Sequence, residues 1–113
     1  MERSYKLHRI RDLAENDQEF VKSLVVAFIE EVPQDAKTLE VAVKNKNFLL
    51  AYQVAHKMKP TIDLFEMGVL DALVEIQDWG KFKKSDFDAI PSLNRVLDTV
   101  DVVVSEMKED YNL

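Results

Sequence analysis

Apolar residues recur at helical spacing along almost the whole chain, and this periodicity constrains the fold more than any other feature. The pattern is clearest near the C-terminus, where one phase contains Leu93, Leu97, Val100, Val104, Met107 and Tyr111. Two glycines and three prolines occur in 113 residues. A sandwich or barrel of many short strands needs more turn-forming residues than this. The sequence therefore predicts an all-α fold.

Cap residues and helix breakers divide the pattern into separate helices. Asn16 or Asp17 can cap a second helix, and Asn47 can cap the helix that carries residues up to Phe65. Pro33 is expected to end or kink the second helix, because the residue before a proline avoids the α region. Gly80 is expected to cap the C-terminus of a later helix.

Short connections force neighbouring helices to run antiparallel. We therefore expect an antiparallel up-down four-helix bundle with a short additional N-terminal helix or helices. A chain of 113 residues fits one domain, so residues 1–113 are predicted to form a single helical domain. On the second helix, the apolar face is expected to contain Phe20, Leu24, Ala27 and Phe28.

Composition excludes several classes of function. The chain has 15 Lys and Arg residues against 21 Asp and Glu, a net charge of −6, whereas binding a nucleic-acid backbone needs a basic surface. Cysteine is absent, which excludes disulfides and thiolate metal sites. Residues 1–9 contain no apolar segment of a signal peptide, and no apolar stretch is long enough to span a bilayer. We expect a cytoplasmic monomer that binds neither nucleic acid nor membrane.

His56 lies on the predicted helix that follows Asn47, off its apolar stripe. The stripe consists of Ala51, Ala55, Met58 and Ile62, and at about 100° per residue His56 falls on the far side. The outer face with His56 also contains Leu49, Tyr52, Gln53, Lys59, Pro60 and Asp63. Spacing alone favours an ordinary surface histidine. Exposed apolar area beside an imidazole is, however, also typical of a docking surface.

The segment Ala55-His56-Lys57-Met58-Lys59 resembles the active-site segment of histidine-containing phosphotransfer (HPt) domains. That family shows a small residue, the histidine, any residue, an aliphatic residue or Met, and then a lysine. The segment from Phe20 to Pro33 resembles the family's upstream helix, and the resemblance covers roughly residues 5–111. Two positions differ, because Pro60 and Glu66 stand where the family usually has glycine.

The resemblance implies that His56 accepts a phosphoryl group from the aspartate of a receiver domain and passes it to another receiver. An imidazole has a neutral, nucleophilic nitrogen near neutral pH. Lys59 lies one turn further on, where its ammonium group can offset the phosphoryl charge. Lys57 is expected to attract an acidic receiver, and Gln53 can donate a hydrogen bond to the phosphoryl group. The partner-docking face is predicted to comprise Leu49, Tyr52, Gln53, Lys57, Pro60 and Asp63.

The same resemblance implies a phosphoprotein of a multistep two-component phosphorelay. Its partners would be response-regulator receiver domains, a hybrid histidine kinase, or both. No nucleotide-binding loop is visible, and an autonomous kinase would need one, so we expect a phosphoryl carrier without independent turnover. No metal or other cofactor is expected on this chain, because the Mg²⁺ belongs to the receiver.

Two other functions remain open at this point. Pro60 and Glu66 are compatible with a non-catalytic helical adaptor that docks a receiver or histidine kinase without phosphotransfer. A metal- or haem-binding bundle would need inward-facing ligands on several helices, whereas His56 is expected to face outward. His8 is expected to be a surface residue, and the basic run from Lys81 to Lys84 is expected to be a solvated loop.

Overall fold

The structure is a computed structural model that describes residues 3–113. Met1 and Glu2, which belong to the start examined above for a signal peptide, lie outside the described residues. Regular secondary structure in this range consists of five helices and no strands, so the all-α prediction is confirmed. The helices are α1 (His8–Leu13), α2 (Gln18–Lys44), α3 (Phe48–Leu64), α4 (Leu70–Lys81) and α5 (Ile90–Tyr111).

The four longer helices contact one another in a cycle, in which α2 packs on α3, α3 on α4, α4 on α5 and α5 on α2, while α1 packs on α2. One cluster of buried apolar side chains fills the space between them, including Leu39, Met58, Leu73 and Leu93. Because α2 and α4 both pack against α3, a third side of α3 is left to solvent. None of the described helices combines the length and apolar character needed to cross a membrane.

Side-chain caps begin α2 and α3. Asp17 Oδ1 accepts hydrogen bonds from the backbone N–H of Glu19 at 3.1 Å and of Phe20 at 3.3 Å. Asn47 Oδ1 accepts one from Leu50 N–H at 3.2 Å. The predicted caps at Asp17 and Asn47 are therefore confirmed. Each satisfies donors that a helix N-terminus leaves without an intrahelical partner.

Helix α2 continues through Pro33, so the expectation that this proline ends the helix is wrong. Proline removes one N–H from the helical ladder, but Val32 and Ala36 on either side are both buried in the core. We attribute the continuity to this tertiary packing, which outweighs the local preference. The buried face includes Phe28, as predicted, but Val21 is buried in place of Phe20, which remains 44% exposed.

Gly80 does not cap α4, because the helix continues to Lys81 and the left-handed residue beyond it is Lys83, with φ of 50°. Gly80 is instead buried where α4 meets the start of α3. A Cβ at this position would lie 2.5 Å from the carbonyl oxygen of Phe48 and 2.8 Å from the backbone nitrogen of Tyr52. The missing side chain therefore allows the two helix backbones to approach closely.

The segment before α1 joins the C-terminal ends of α3 and α5. Arg3 Nη2 lies 2.6 Å from Asp110 Oδ1, and the Tyr5 hydroxyl donates a hydrogen bond of 2.6 Å to Asp110 Oδ2. Lys6 N–H donates to the carbonyl oxygen of Phe65 at 2.9 Å. Burial, with a further contribution from the bond to Asp110, raises the pKa of Tyr5 well above its ordinary value.

Candidate functional site

His56 is exposed on α3, on the side of the helix that faces away from the core. The four residues of the predicted apolar stripe are all buried, namely Ala51, Ala55, Met58 and Ile62. The outward position predicted for the imidazole is therefore confirmed. Because the inward side of α3 packs on the core, the imidazole is displayed from a rigid helix and is open to a partner molecule.

Tyr52 flanks the imidazole one turn earlier on α3. The two ring centroids are 5.9 Å apart and the ring planes are inclined by 29°, an approximately stacked arrangement. Leu49 lies a further turn back and is 64% exposed. The imidazole therefore has an apolar flank on the N-terminal side of α3, which limits its orientations and supplies contact area for a partner.

The two lysines that flank His56 in sequence have different environments. Lys57 Nζ lies 3.0 Å from Asp35 Oδ1 on α2, and this ion pair links α3 to α2. Lys59 is half-buried, and among residues 3–113 no carboxylate lies within ion-pair distance of its ammonium group. Lys59 therefore offers an unneutralised positive charge one helical turn from His56. The expected attraction of a receiver by Lys57 stays a prediction.

Gln53 and Pro60 are both exposed on the face of α3 that carries His56. Proline has no backbone N–H, so Pro60 cannot donate a hydrogen bond to the His56 carbonyl. It nevertheless lies inside α3, which continues to Leu64. The five-membered ring therefore stands beside the imidazole, at the position where the HPt pattern has a glycine.

Asp63 also lies on this face, two turns beyond His56, where a residue from α1 engages it. Arg9 Nη1 lies 3.4 Å from Asp63 Oδ1 and donates a hydrogen bond of 2.9 Å to the Asp63 carbonyl oxygen. Sequence reasoning did not find Arg9, because no local pattern links a residue of α1 to one more than fifty positions away. Arg9 therefore lies at the end of the exposed face that is nearest the C-terminus of α3.

Glu66 occupies the left-handed region, with φ of 49°, just after the end of α3. Glycine adopts this conformation without strain, whereas other residues do so at a cost of about 1–2 kcal/mol. The glycine that the HPt pattern has at this position would therefore suit the backbone geometry. His8 is exposed, as predicted, and its Nε2 lies 2.9 Å from Glu66 Oε2 but outside hydrogen-bonding geometry.

Chemically, the arrangement combines an accessible nitrogen nucleophile, a nearby ammonium group and an apolar flank. Within the range 3–113, no group of three or more His, Cys, Asp or Glu side chains is arranged to hold a metal ion. All the predicted site residues from Leu49 to Asp63 lie on α3, and helical spacing places all of them except Lys57 on its outer face. The contacts that these residues make with α1, α2 and α4 depend on how the helices pack, and helical spacing does not predict them.

Comparison with known proteins gives no family assignment. No protein-family model matches the chain, and no curated protein or solved structure matches it. The likeness to HPt domains therefore rests on the sequence segments that carry it.

Proposed function

We propose that this chain is a histidine phosphotransfer intermediate, which takes a phosphoryl group from a receiver-domain aspartate onto His56 and passes it to a second receiver. The observation that carries the proposal is the exposed imidazole of His56, one turn from a lysine that no described carboxylate neutralises. The proposal includes an antiparallel four-helix bundle, which the cyclic contacts of α2 to α5 support. It also includes a monomeric, cytoplasmic protein that needs no nucleic acid or membrane.

In the proposed reaction, a neutral nitrogen of His56 attacks the phosphorus of an aspartyl phosphate on the receiver. A phosphorus–nitrogen bond forms, the bond from phosphorus to the aspartate oxygen breaks, and the carboxylate leaves. The other ring nitrogen then loses its proton to solvent. The second transfer is the reverse of these steps on another receiver.

Lys59 has an electrostatic role in this proposal. Its ammonium group, one turn from the imidazole, offsets negative charge on the phosphoryl oxygens as the group moves. The receiver supplies the aspartate pocket and the Mg²⁺, so this chain acts as a carrier and not as an enzyme with its own turnover. Tyr52 contributes by limiting the orientations of the imidazole with which it stacks.

The test is transfer from a panel of phosphorylated receiver domains to the wild-type chain and to three variants. His56→Gln should abolish labelling. Lys59→Gln should slow labelling about 100-fold, the lower end of the loss that follows removal of one preorganised stabilising group. Lys22→Gln is the matched control, because it removes the same charge at an exposed position on α2, outside the predicted site, and should change the rate less than about threefold. Labelling that persists in His56→Gln would overturn the assignment.

Pro60 supports a second candidate function, a helical adaptor that docks a receiver or histidine kinase without phosphotransfer. Its exposed ring stands beside His56, where close approach of a receiver aspartate is required. Under this alternative, receivers bind the wild-type chain without labelling it, and Pro60→Gly restores labelling. Under the phosphotransfer proposal, the wild-type chain is already labelled, and Pro60→Gly changes only the rate of labelling.

A further inference from the structure

A groove of about 240 Å³ lies beside the candidate site, where the start of α3 meets the end of α4. It is lined by Leu49, Tyr52, Gly80, Lys81 and Lys83. At this groove, Gly80 packs directly against the α3 backbone at Phe48 and Tyr52. The other four lining side chains stand around this contact between the two helices.

Tyr52 belongs both to this groove and to the surroundings of His56. Its ring stacks with the imidazole at 5.9 Å between centroids, and the same side chain lines the groove. A partner bound at His56 therefore needs to extend past only one side chain to reach the groove. Leu49 adds exposed apolar surface to the same wall.

The rim of the groove is positively charged, although the whole chain is acidic. Lys81 and Lys83 are both exposed, and across residues 3–113 neither forms an ion pair with a carboxylate. The net charge of the chain is −6, so an acidic partner is repelled by the surface as a whole and attracted locally at this rim. An apolar wall with a cationic rim is complementary to an apolar side chain flanked by carboxylates.

We infer that this groove is a specificity anchor for the receiver domain, which inserts one apolar side chain flanked by Asp or Glu residues between Tyr52 and the lysine pair. The inference rests on the proposed function, because it takes a receiver as the occupant. The apolar contact contributes affinity, while the lysines orient the approaching receiver and raise its association rate. The contribution of the lysines depends on ionic strength, since salt screens charges at exposed positions.

The experiment compares the wild-type chain with the double variant Lys81→Glu/Lys83→Glu. The matched control is Lys22→Glu/Lys37→Glu, which makes the same charge change at two exposed positions on α2. Binding of unphosphorylated receivers is measured at low and high salt, and labelling of His56 is measured with phosphorylated receivers. Labelling with phosphoramidate, a small donor that needs no docking, reports separately whether His56 accepts a phosphoryl group.

The groove variant should bind the receiver at least about tenfold more weakly at low salt, and the difference should shrink at high salt. Its labelling by phosphoramidate should equal that of the wild type, and the control should bind within about threefold of the wild type. Leu49→Ala should weaken receiver binding equally at both salt concentrations.

Equal receiver binding by the groove variant and the control would overturn the anchor, as would the absence of receiver binding by the wild type. Receiver binding that depends on Lys81 and Lys83, without labelling of His56 by any donor, would support the anchor and overturn the transfer chemistry alone.

Discussion

Replacing Gly80 with alanine adds one methyl group where α3 and α4 pack closely together. The new Cβ would lie 2.5 Å from the Phe48 carbonyl oxygen and 2.8 Å from the Tyr52 backbone nitrogen. Both neighbours are backbone atoms, which cannot move aside by changing a rotamer. The two helices must therefore separate, and the contacts around Trp79, which packs on Phe48 at 4.5 Å between ring centroids, must loosen.

Two opposing effects determine the change in the free energy of unfolding. Overpacking a well-packed contact costs typically about 1–3 kcal/mol, and a backbone neighbour places Gly80→Ala toward the upper end. Alanine in place of glycine inside a helix stabilises the helix by about 1 kcal/mol. We therefore expect a net loss of about 1–2 kcal/mol, which corresponds to a fall in Tm of roughly 4–10 °C for a domain of this size.

Thermal and urea unfolding followed by circular dichroism measure this change. The other glycine serves as the control, because a Cβ at Gly68 meets nothing within 4 Å, although its φ of 75° disfavours alanine. Gly68→Ala should lose about 1 kcal/mol through backbone strain alone. A Gly80→Ala variant that is as stable as the wild type, or more stable, would refute the proposed close contact between α3 and α4.

Three further substitutions test local features of the fold by the same unfolding measurements. Tyr5→Phe should lose about 1 kcal/mol near neutral pH. Because the pKa of Tyr5 is raised in the fold, the stability due to its hydroxyl is fully present below pH about 10 and is lost as the pH rises further. The variant should therefore lose less stability than the wild type in alkali. Equal losses of stability in alkali by the two proteins would contradict this. Glu66→Gly should be neutral or stabilising by up to about 1 kcal/mol, because it relieves the left-handed strain, and a clear loss of stability would contradict that reading. Pro60→Ala should stabilise α3 by about 1–3 kcal/mol by restoring the donor to the His56 carbonyl, and no gain would mean that the helix has adapted to the proline.

Features that depend on local spacing could be predicted from the sequence. The outward position of His56 follows from the helical period and the neighbouring apolar stripe. The caps at Asp17 and Asn47 follow from side chains that can reach the first free N–H groups of a helix. These predictions succeed because each depends on residues within a few positions along one helix.

Features that depend on contacts between distant segments could not be predicted in the same way. Pro33 and Gly80 have strong local preferences, and packing overrides both. Residues on either side of Pro33 are buried in the core. Gly80 allows α3 to pack closely against α4 and does not mark a helix end. The pairing of Lys57 with Asp35, and of Asp63 with Arg9, joins residues on different helices. Lys57 and Asp63 are therefore paired with residues of other helices, whereas Lys59 is not. Helical spacing along α3 could not predict this.

Peptide mapping after incubation with phosphorylated receivers identifies the residue that accepts the phosphoryl group, which we propose to be His56. We expect one phosphoryl group on the peptide that contains His56, lost in acid and retained in alkali, as is typical of a phosphorus–nitrogen bond. His56→Gln should carry no label under the same conditions. A label that maps to another residue, or that survives acid, would show that His56 is not the phosphoryl acceptor.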